Sequence, residues 1–260
     1  MVKLNSAGIV AKKGSEINAR RVYEFLTELD RTFVLERETA KGMGKTGIDL
    51  EEIKADFLIA IGGDGTILRT LQHSTLPIFG INAGGRGFLT EVDFGNFEQG
   101  LERLFRGEAT IEVRSKISSN LPEMPDATNE IFLRRGKRPI RFRVIMDGEL
   151  IKEERGDGVM VVTPTGSTSY SIGLGGPILD PRVDVFLINF VAPFDLSARP
   201  VVVPSSKVIE LELIEGEGFL DCDGQRIIRV EKKIILKKSA DQAKFVRLSD
   251  NFYERVREKL

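Results

Sequence analysis

The sequence predicts an α/β N-terminal domain followed by a predominantly β C-terminal domain. In the first hundred residues short apolar runs alternate with amphipathic segments, the pattern of parallel strands covered by helices. After about Gly107, segments of period two are separated by turn residues, the pattern of antiparallel sheet. The 260 residues suffice for two domains of ordinary size. The expected bounds are 1–107 for the α/β domain and 108–250 for the β-rich domain. A helix over 251–260 is expected to pack back on the first.

The N-terminal elements follow in order. Ala7 to Ala11 reads as a strand, and Ile17, Val22, Phe25, Leu26 and Leu29 fall near helical spacing over Glu16 to Leu29. Phe33 to Leu35 reads as a second strand and Leu50 to Lys54 as a short helix. Phe57 to Ile61 is wholly apolar between Asp56 and Gly62, which fits a parallel strand buried on both faces. Pro77 precedes another such run, Ile78 to Ile81. In the β-rich part Phe142, Val144 and Met146 alternate with Arg141, Arg143 and Ile145, and Asp147-Gly148 then signals a hairpin into Glu149 to Glu154. Ile209, Leu211 and Leu213 mark a half-buried strand, and Asp223-Gly224 a second hairpin.

Composition excludes several function classes. With 38 basic against 39 acidic residues the formal net charge is -1, which removes the electrostatic case for a whole-chain nucleic-acid binder. The single Cys222 cannot form an internal disulfide, and the single His73 cannot anchor a histidine-rich metal site. No window approaches the roughly 20 apolar residues of a membrane span, so a cytoplasmic protein with neither membrane nor nucleic-acid partner is expected.

Two motifs carry chemistry. Gly62-Gly63-Asp64-Gly65-Thr66 follows the buried strand directly, and its unhindered amides and helix N-terminus suit phosphate oxygens. A carboxylate there repels an anion unless it accepts a hydroxyl proton or holds Mg²⁺. The same residues also fit a tight strand-to-helix turn with Asp64 as N-cap. The second motif is Gly156-Asp157-Gly158, the apolar Val159 to Val162, then Thr163-Pro164-Thr165-Gly166-Ser167-Thr168-Ser169-Tyr170, with Gly173, Gly175 and Gly176 beyond. Its hydroxyl content exceeds what a turn requires.

Other features carry less. Gly44-Lys45-Thr46 is not a P-loop, because Thr39 stands where the first glycine belongs. Gly80 to Gly87 lacks dinucleotide-fold spacing. His73 and Cys222 read as structural, and Arg134-Arg135-Gly136-Lys137-Arg138 reads as a solvated loop.

With GGDGT, Asn129-Glu130, GDGVMVVTPTGSTSYSIGLGGPIL and Asp223-Gly224-Gln225 in that order, the chain resembles the NAD kinases of archaeal type. TPTGSTSY is the specific part, since lipid kinases of the diacylglycerol and sphingosine type share GGDGT. The resemblance implies an NAD kinase-like two-domain architecture with a site between the domains. It also implies a homo-oligomer, dimer or tetramer, whose neighbouring subunits complete that site. Asp64 is implied as proton acceptor. Gly62, Gly63, Gly65, Thr66, Arg69 and the aromatic wall Phe88 are implied around the bound nucleotides. Asn129, Glu130, Arg155, Asp157, Thr165, Thr168, Ser169, Tyr170, Ser171, Gly173, Ala192 and Gln225 are implied to bind the dinucleotide. Ser169 stands where the family usually has alanine and Arg86 where leucine is common, and Ala192-Pro193-Phe194-Asp195 lacks a histidine often present there.

The activity so implied is transfer of a phosphoryl group from ATP or polyphosphate, with Mg²⁺ or another divalent cation, to the 2′-hydroxyl of NAD's adenosine ribose. A lipid kinase and a non-catalytic NAD sensor are the alternatives.

Overall fold

The computed structural model describes residues 4–85, 87–231 and 233–259. Arg86, one of the departures named above, lies outside them. The chain forms two units, one of Met1–Val113 with Ala243–Leu260 and one of Arg114–Gln242.

In the first unit the elements are β1 (Ser6–Ala11), α1 (Glu16–Glu28), β2 (Thr32–Leu35), α2 (Arg37–Gly42), β3 (Phe57–Gly62), α3 (Asp64–His73), β4 (Ile78–Asn82) and α4 (Phe97–Phe105). The strands run parallel in the order β2-β1-β3-β4. Alternation on the pleat, with a core on each face, explains why β3, and β1 beyond Ser6, are apolar. Ile9, Ile59 and Ile61 face Val22 and Leu26 of α1 and Leu101 of α4. Val10, Leu58 and Ala60 face Ile67, Leu68 and Leu71 of α3 on the other side. Every residue of β3 is buried, as a strand covered on both faces must be. The segment read as a helix over Leu50 to Lys54 is only a 3₁₀ turn, Leu50–Glu52. The chain re-enters this unit through the end of a long strand, where Phe245 pairs with Ile78, and finishes in the helix Phe252–Lys259.

The second unit is a β-sandwich. One sheet is antiparallel throughout, in the order Val201–Pro204, Val185–Val191, Gly158–Val162, Glu130–Arg135, Gly218–Cys222, Arg226–Val230. Its inner residues Ile131, Leu133, Val159, Val161 and Leu220 meet Phe142, Val144, Ile209 and Leu211 from the facing strands Ile140–Met146 and Ile209–Glu215. The Asp147-Gly148 hairpin forms as the sequence predicts, with Asp147 at φ 50°. The outer face of the six-stranded sheet is covered in part by Leu174 and Leu179, packed on Met160, Val162 and Leu187. That packing lays the hydroxyl-rich segment across the sheet.

The run Arg134 to Arg138 departs from its sequence reading. Arg134 and Arg135 end the strand Glu130–Arg135, where Arg134 lies 3.6 Å from Asp221 and Arg135 lies 2.5 Å from Asp157. Strand pairing brings acids of neighbouring segments opposite two cations that local composition assigns to a loop.

Candidate active site

In the first unit the buried strand β3 ends at Gly62 and the chain turns into α3. Gly63, not Asp64, is the N-cap, and Asp64 is the first helical residue. Its carboxylate therefore does not cap its own helix. Oδ2 accepts a hydrogen bond from the Phe88 amide at 2.8 Å and Oδ1 one from the Leu89 amide at 3.0 Å. Gly87 permits the approach, since a Cβ there would lie 2.7 Å from Asp64 Oδ1. A carboxylate offers about four lone-pair sites, so Asp64 is oriented by two donors and keeps acceptor capacity for a substrate hydroxyl.

The loop that orients Asp64 is itself fixed. Arg255 Nη1 donates to the Phe88 carbonyl at 2.8 Å, and Arg247 Nη1 donates to the Leu89 carbonyl at 3.0 Å. Both guanidiniums share Glu91 Oε2, at 2.9 and 3.0 Å, with the arginine side chains 8% and the Glu91 side chain 1% exposed. Arg247 also reaches Glu112 at 2.7 Å. The Lys259 ammonium lies 5.6 Å from the centre of the half-buried Phe88 ring. Burial and the Arg255 charge lower the Lys259 pKa while Asp64 acts to raise it. Nothing in the local sequence marks Glu91, Arg247 or Arg255 as part of a site. Thr66 is buried, Gly65 is exposed, and Arg69 is half-buried on α3, lining a concavity beside Lys12 and Lys13.

In the second unit the keystone is Asp223, which the sequence marks as a turn residue and as part of Asp223-Gly224-Gln225 in the family resemblance, but not as a site residue. Its carboxylate is buried and accepts from the amides of Thr128, Asn129 and Glu130 at 2.8, 2.8 and 3.0 Å. Asn129 and Glu130 are thereby fixed at the start of their strand, both buried. Among the described residues Asn129 Oδ1 and Glu130 Oε2 are buried with no hydrogen-bond partner, although the Glu130 carboxyl also has a hydrogen bond with Ser169. Such groups cost about 1–3 kcal/mol each when left unpaired, so a polar ligand is the natural completion. Burial, then the negative charges of Asp223 and Asp221, push the Glu130 carboxyl up to about 8.

This shift makes stability depend on pH. An acid whose pKa is raised on folding contributes stability that is complete below its ordinary value, here 4.5, and that is lost as pH rises through about 8. The variant Glu130→Gln removes the titration. Its melting temperature relative to wild type is expected to rise steadily between pH 5 and pH 8.5. A constant difference across that range, in melts at matched ionic strength, would refute the buried-acid assignment.

The segment after the strand Gly158–Val162 packs directly on this pair. The Thr163 hydroxyl donates to the Thr128 carbonyl at 2.6 Å, and a Cβ at Gly166 would meet the Asn129 carbonyl oxygen at 2.3 Å. Only glycine fits there. Ser167 donates to the Pro164 carbonyl at 2.7 Å and accepts from the Leu179 amide at 3.0 Å, while Asn189 Nδ2 donates to the Ser171 hydroxyl at 3.1 Å. Thr165 and Ser171 are thus buried, Thr168 and Ser169 half-buried, and Gly173 exposed. Much of the hydroxyl content builds the loop itself. Tyr170 stands out at 51% exposure, its ring edge-on to Phe132 at 6.0 Å.

The remaining predicted residues of this unit are exposed or half-buried. Arg155 is exposed over the Phe194 ring at 5.4 Å. Asp157 is engaged by Arg135, Ala192 adopts φ 45°, and Gln225 is exposed in the hairpin after Cys222. The Cys222 thiol is buried, donates to the Pro125 carbonyl at 3.3 Å, and has its pKa raised by burial. His73 pairs with Glu51 at the surface. Neither is placed for nucleophilic chemistry. Among the described residues no group of three or more His, Cys, Asp or Glu side chains could hold a metal ion.

Comparison with known proteins decides the family. Residues 7–109 match the ATP-NAD kinase N-terminal domain and residues 128–248 the ATP-NAD kinase C-terminal domain. The chain belongs to the NAD kinase family. It is 44% identical to the NAD kinase of Methanothermobacter thermautotrophicus over 82% of this chain and 79% of that protein. It is 41% identical to that of Thermococcus gammatolerans over 95% and 96%. The crystal structure of an NAD kinase from Archaeoglobus fulgidus in complex with ATP superposes with a TM-score of 0.83 at 30% identity, covering 97% of this chain and 98% of that one. Yeast NADH kinase shares the fold, with a TM-score of 0.87 at 24% identity over 100% and 88%. The matched family is one of phosphotransferases named for NAD, which favours NAD over a lipid as acceptor. No helix among the described residues is long and apolar enough to cross a membrane.

Proposed function

We propose that the chain phosphorylates the 2′-hydroxyl of the adenosine ribose of NAD, giving NADP, with ATP or polyphosphate as donor. The observation that carries this is the pair of unpartnered buried oxygens on Asn129 and Glu130. A ribose diol supplies the polar groups that complete them, and an acyl chain does not. In the reaction the 2′-oxygen forms a bond to the donor's terminal phosphorus as the bond to the bridging oxygen breaks. Asp64 accepts the hydroxyl proton, which is positioning and proton transfer of the kind phosphoryl-transfer enzymes use.

Gly62, Gly63, Gly65, Thr66 and Arg69 frame the donor phosphates, and Phe88 offers an aromatic wall. Asn129, Glu130 and Asp157 hold the dinucleotide, with Arg155, Ala192 and Gln225 at the rim. Thr165, Thr168, Ser169, Ser171 and Gly173 shape the adenosine side, and the exposed Tyr170 ring is a stacking surface. The residues do not build a metal cage of their own. Mg²⁺ is commonly held by substrate phosphates with one or two carboxylates, so we place the divalent cation on the donor. We place the enzyme in the cytoplasm as a homo-oligomer, whose mass light scattering checks; the exposed Phe194 and Leu196 supply apolar surface for a neighbouring subunit.

The test offers NAD, diacylglycerol and sphingosine in parallel with either donor. NADP is expected, together with loss of turnover in excess EDTA that Mg²⁺ restores. A phosphorylated lipid with no NADP would overturn the assignment, and full turnover in EDTA would remove the metal from it.

A further inference from the structure

The helix Phe252–Lys259 belongs to the first unit and carries two cations, Arg255 and Lys259, at a spacing that puts them on one face. Both address Phe88. Arg255 Nη1 donates to its carbonyl at 2.8 Å, and the Lys259 ammonium lies 5.6 Å from the centre of its ring, within cation–π range. The amide of the same residue donates to Asp64 Oδ2 at 2.8 Å. Phe88 thus joins two helix cations to the carboxylate at the start of α3.

The two cations differ in how they are satisfied. Arg255 is buried and shares Glu91 with Arg247. Lys259 is half-buried and, among the described residues, makes neither an ion pair nor a hydrogen bond. Like charges four residues apart destabilise a helix. Burial and the Arg255 charge also lower the Lys259 pKa, so folding disfavours its charged form. The negative charges acting on it in the opposite sense are Asp64 on α3, Asp93 ahead of α4, and Glu258 beside it. Helix stability and packing therefore give no reason for a lysine here. A methionine would cover the Phe88 ring without these costs.

Phosphoryl transfer supplies a reason. The transferred group carries negative charge on its three equatorial oxygens toward a base, Asp64, that is itself an anion. A fixed cation beside that meeting point stabilises the transition state more than the separated reactants. Arg247 and Arg255 are already committed to Glu91 and to the Leu89 and Phe88 carbonyls. Lys259 has no such commitment.

We propose that Lys259 is a further residue of the phosphoryl-transfer centre, its ammonium offsetting the negative charge that gathers between Asp64 and the transferred group. The proposal rests on the kinase reading above and adds a residue that neither chemistry-bearing motif contains. Lys259 keeps its proton throughout. The hydroxyl proton passes to Asp64 while the 2′-oxygen bonds to phosphorus and the bridging oxygen leaves with the donor. The effect belongs to the transition state and is expected in kcat.

The experiment measures NADP formation, calorimetric NAD binding and melting temperature in wild type, K259M, K259R and K259A. K259M keeps an apolar stem against the Phe88 ring and removes the charge. Its kcat is expected to fall about 10-fold or more, with the KM for NAD and for donor, NAD affinity and melting temperature near wild type. K259R should keep most of the turnover. In K259A, added propylammonium, the fragment the substitution deletes, should restore part of kcat, whereas equal concentrations of sodium chloride or propanol should not.

Wild-type kcat in K259M would overturn the proposal and leave the kinase reading in place. A loss shared by K259M and K259R and not relieved by propylammonium in K259A would assign Lys259 to packing and contradict a role for its charge. A higher KM for donor or NAD with kcat unchanged would contradict a transition-state role. Absence of NADP with the wild-type protein would instead overturn the kinase reading, and this proposal with it.

Discussion

Replacing Asp64 with asparagine is expected to lower kcat for NADP formation by about 10²–10⁴, the usual worth of general-base catalysis, while calorimetric NAD binding is retained. The geometry sharpens this expectation. Both carboxylate oxygens of Asp64 accept backbone amides, and an asparagine can accept only one of them. Its Nδ2 would then face a second N–H donor. A loss of up to about 1 kcal/mol in stability should accompany the loss of turnover, because one partly buried amide is left unpaired. Raising the Mg²⁺ concentration should not restore activity, since the carboxylate is engaged by amides rather than by a cage of acids. Near-wild-type turnover would show that Asp64 only shapes the loop. Recovery at high Mg²⁺ would make it a metal ligand instead.

The largest stability effect is expected at Glu91. Its side chain is 1% exposed and is shared by two buried guanidiniums, Arg247 and Arg255. The variant Glu91→Gln keeps the shape and removes the charge, leaving both cations without their common partner. Removing one member of a buried ion pair costs about 3–5 kcal/mol. At roughly 2–4 °C per kcal/mol for a chain of this size, the first unit's melting point should fall on the order of 10 °C. The same two arginines hold the Phe88 and Leu89 carbonyls, whose amides orient Asp64. Turnover below the melting point should therefore fall more than NAD affinity does. A variant with unchanged melting and unchanged kcat would show that the cluster neither stabilises this unit nor positions Asp64.

These two residues differ sharply in how readable they were. Asp64 stands in a local signal, a fully apolar strand broken by three glycines, because the chemistry of a strand-to-helix turn is written in consecutive residues. The sequence left its role divided between cap and base. The structure removes the cap reading by putting Gly63 there. The antiparallel β character of the second unit is legible from alternation in Phe142, Val144 and Met146 and from Asp147-Gly148, again local patterns with period two, whereas its closure into a sandwich depends on contacts between distant strands.

Glu91, Arg247 and Arg255 could not be read, because their contacts span 156 and 164 residues and each alone resembles a solvated surface charge. Asp223 was half-readable. Its turn is local, but its hold on the Asn129 amide crosses 94 residues. The run Arg134 to Arg138 misleads for the same reason, since the acids that meet Arg134 and Arg135 come from other segments. Lys259 carries no motif, and only the chain's return to the first unit brings it beside Phe88.

The decisive measurement follows the transferred phosphate. The enzyme is incubated with NAD, Mg²⁺ and a donor isotopically labelled in its terminal phosphate, and the product is resolved by phosphorus NMR. Label is expected in a monoester on the 2′-oxygen of the adenosine ribose, one per donor consumed, with wild type active and Asp64→Asn nearly silent. Donor hydrolysis to free phosphate without NADP, or label on any other hydroxyl, would contradict the assignment.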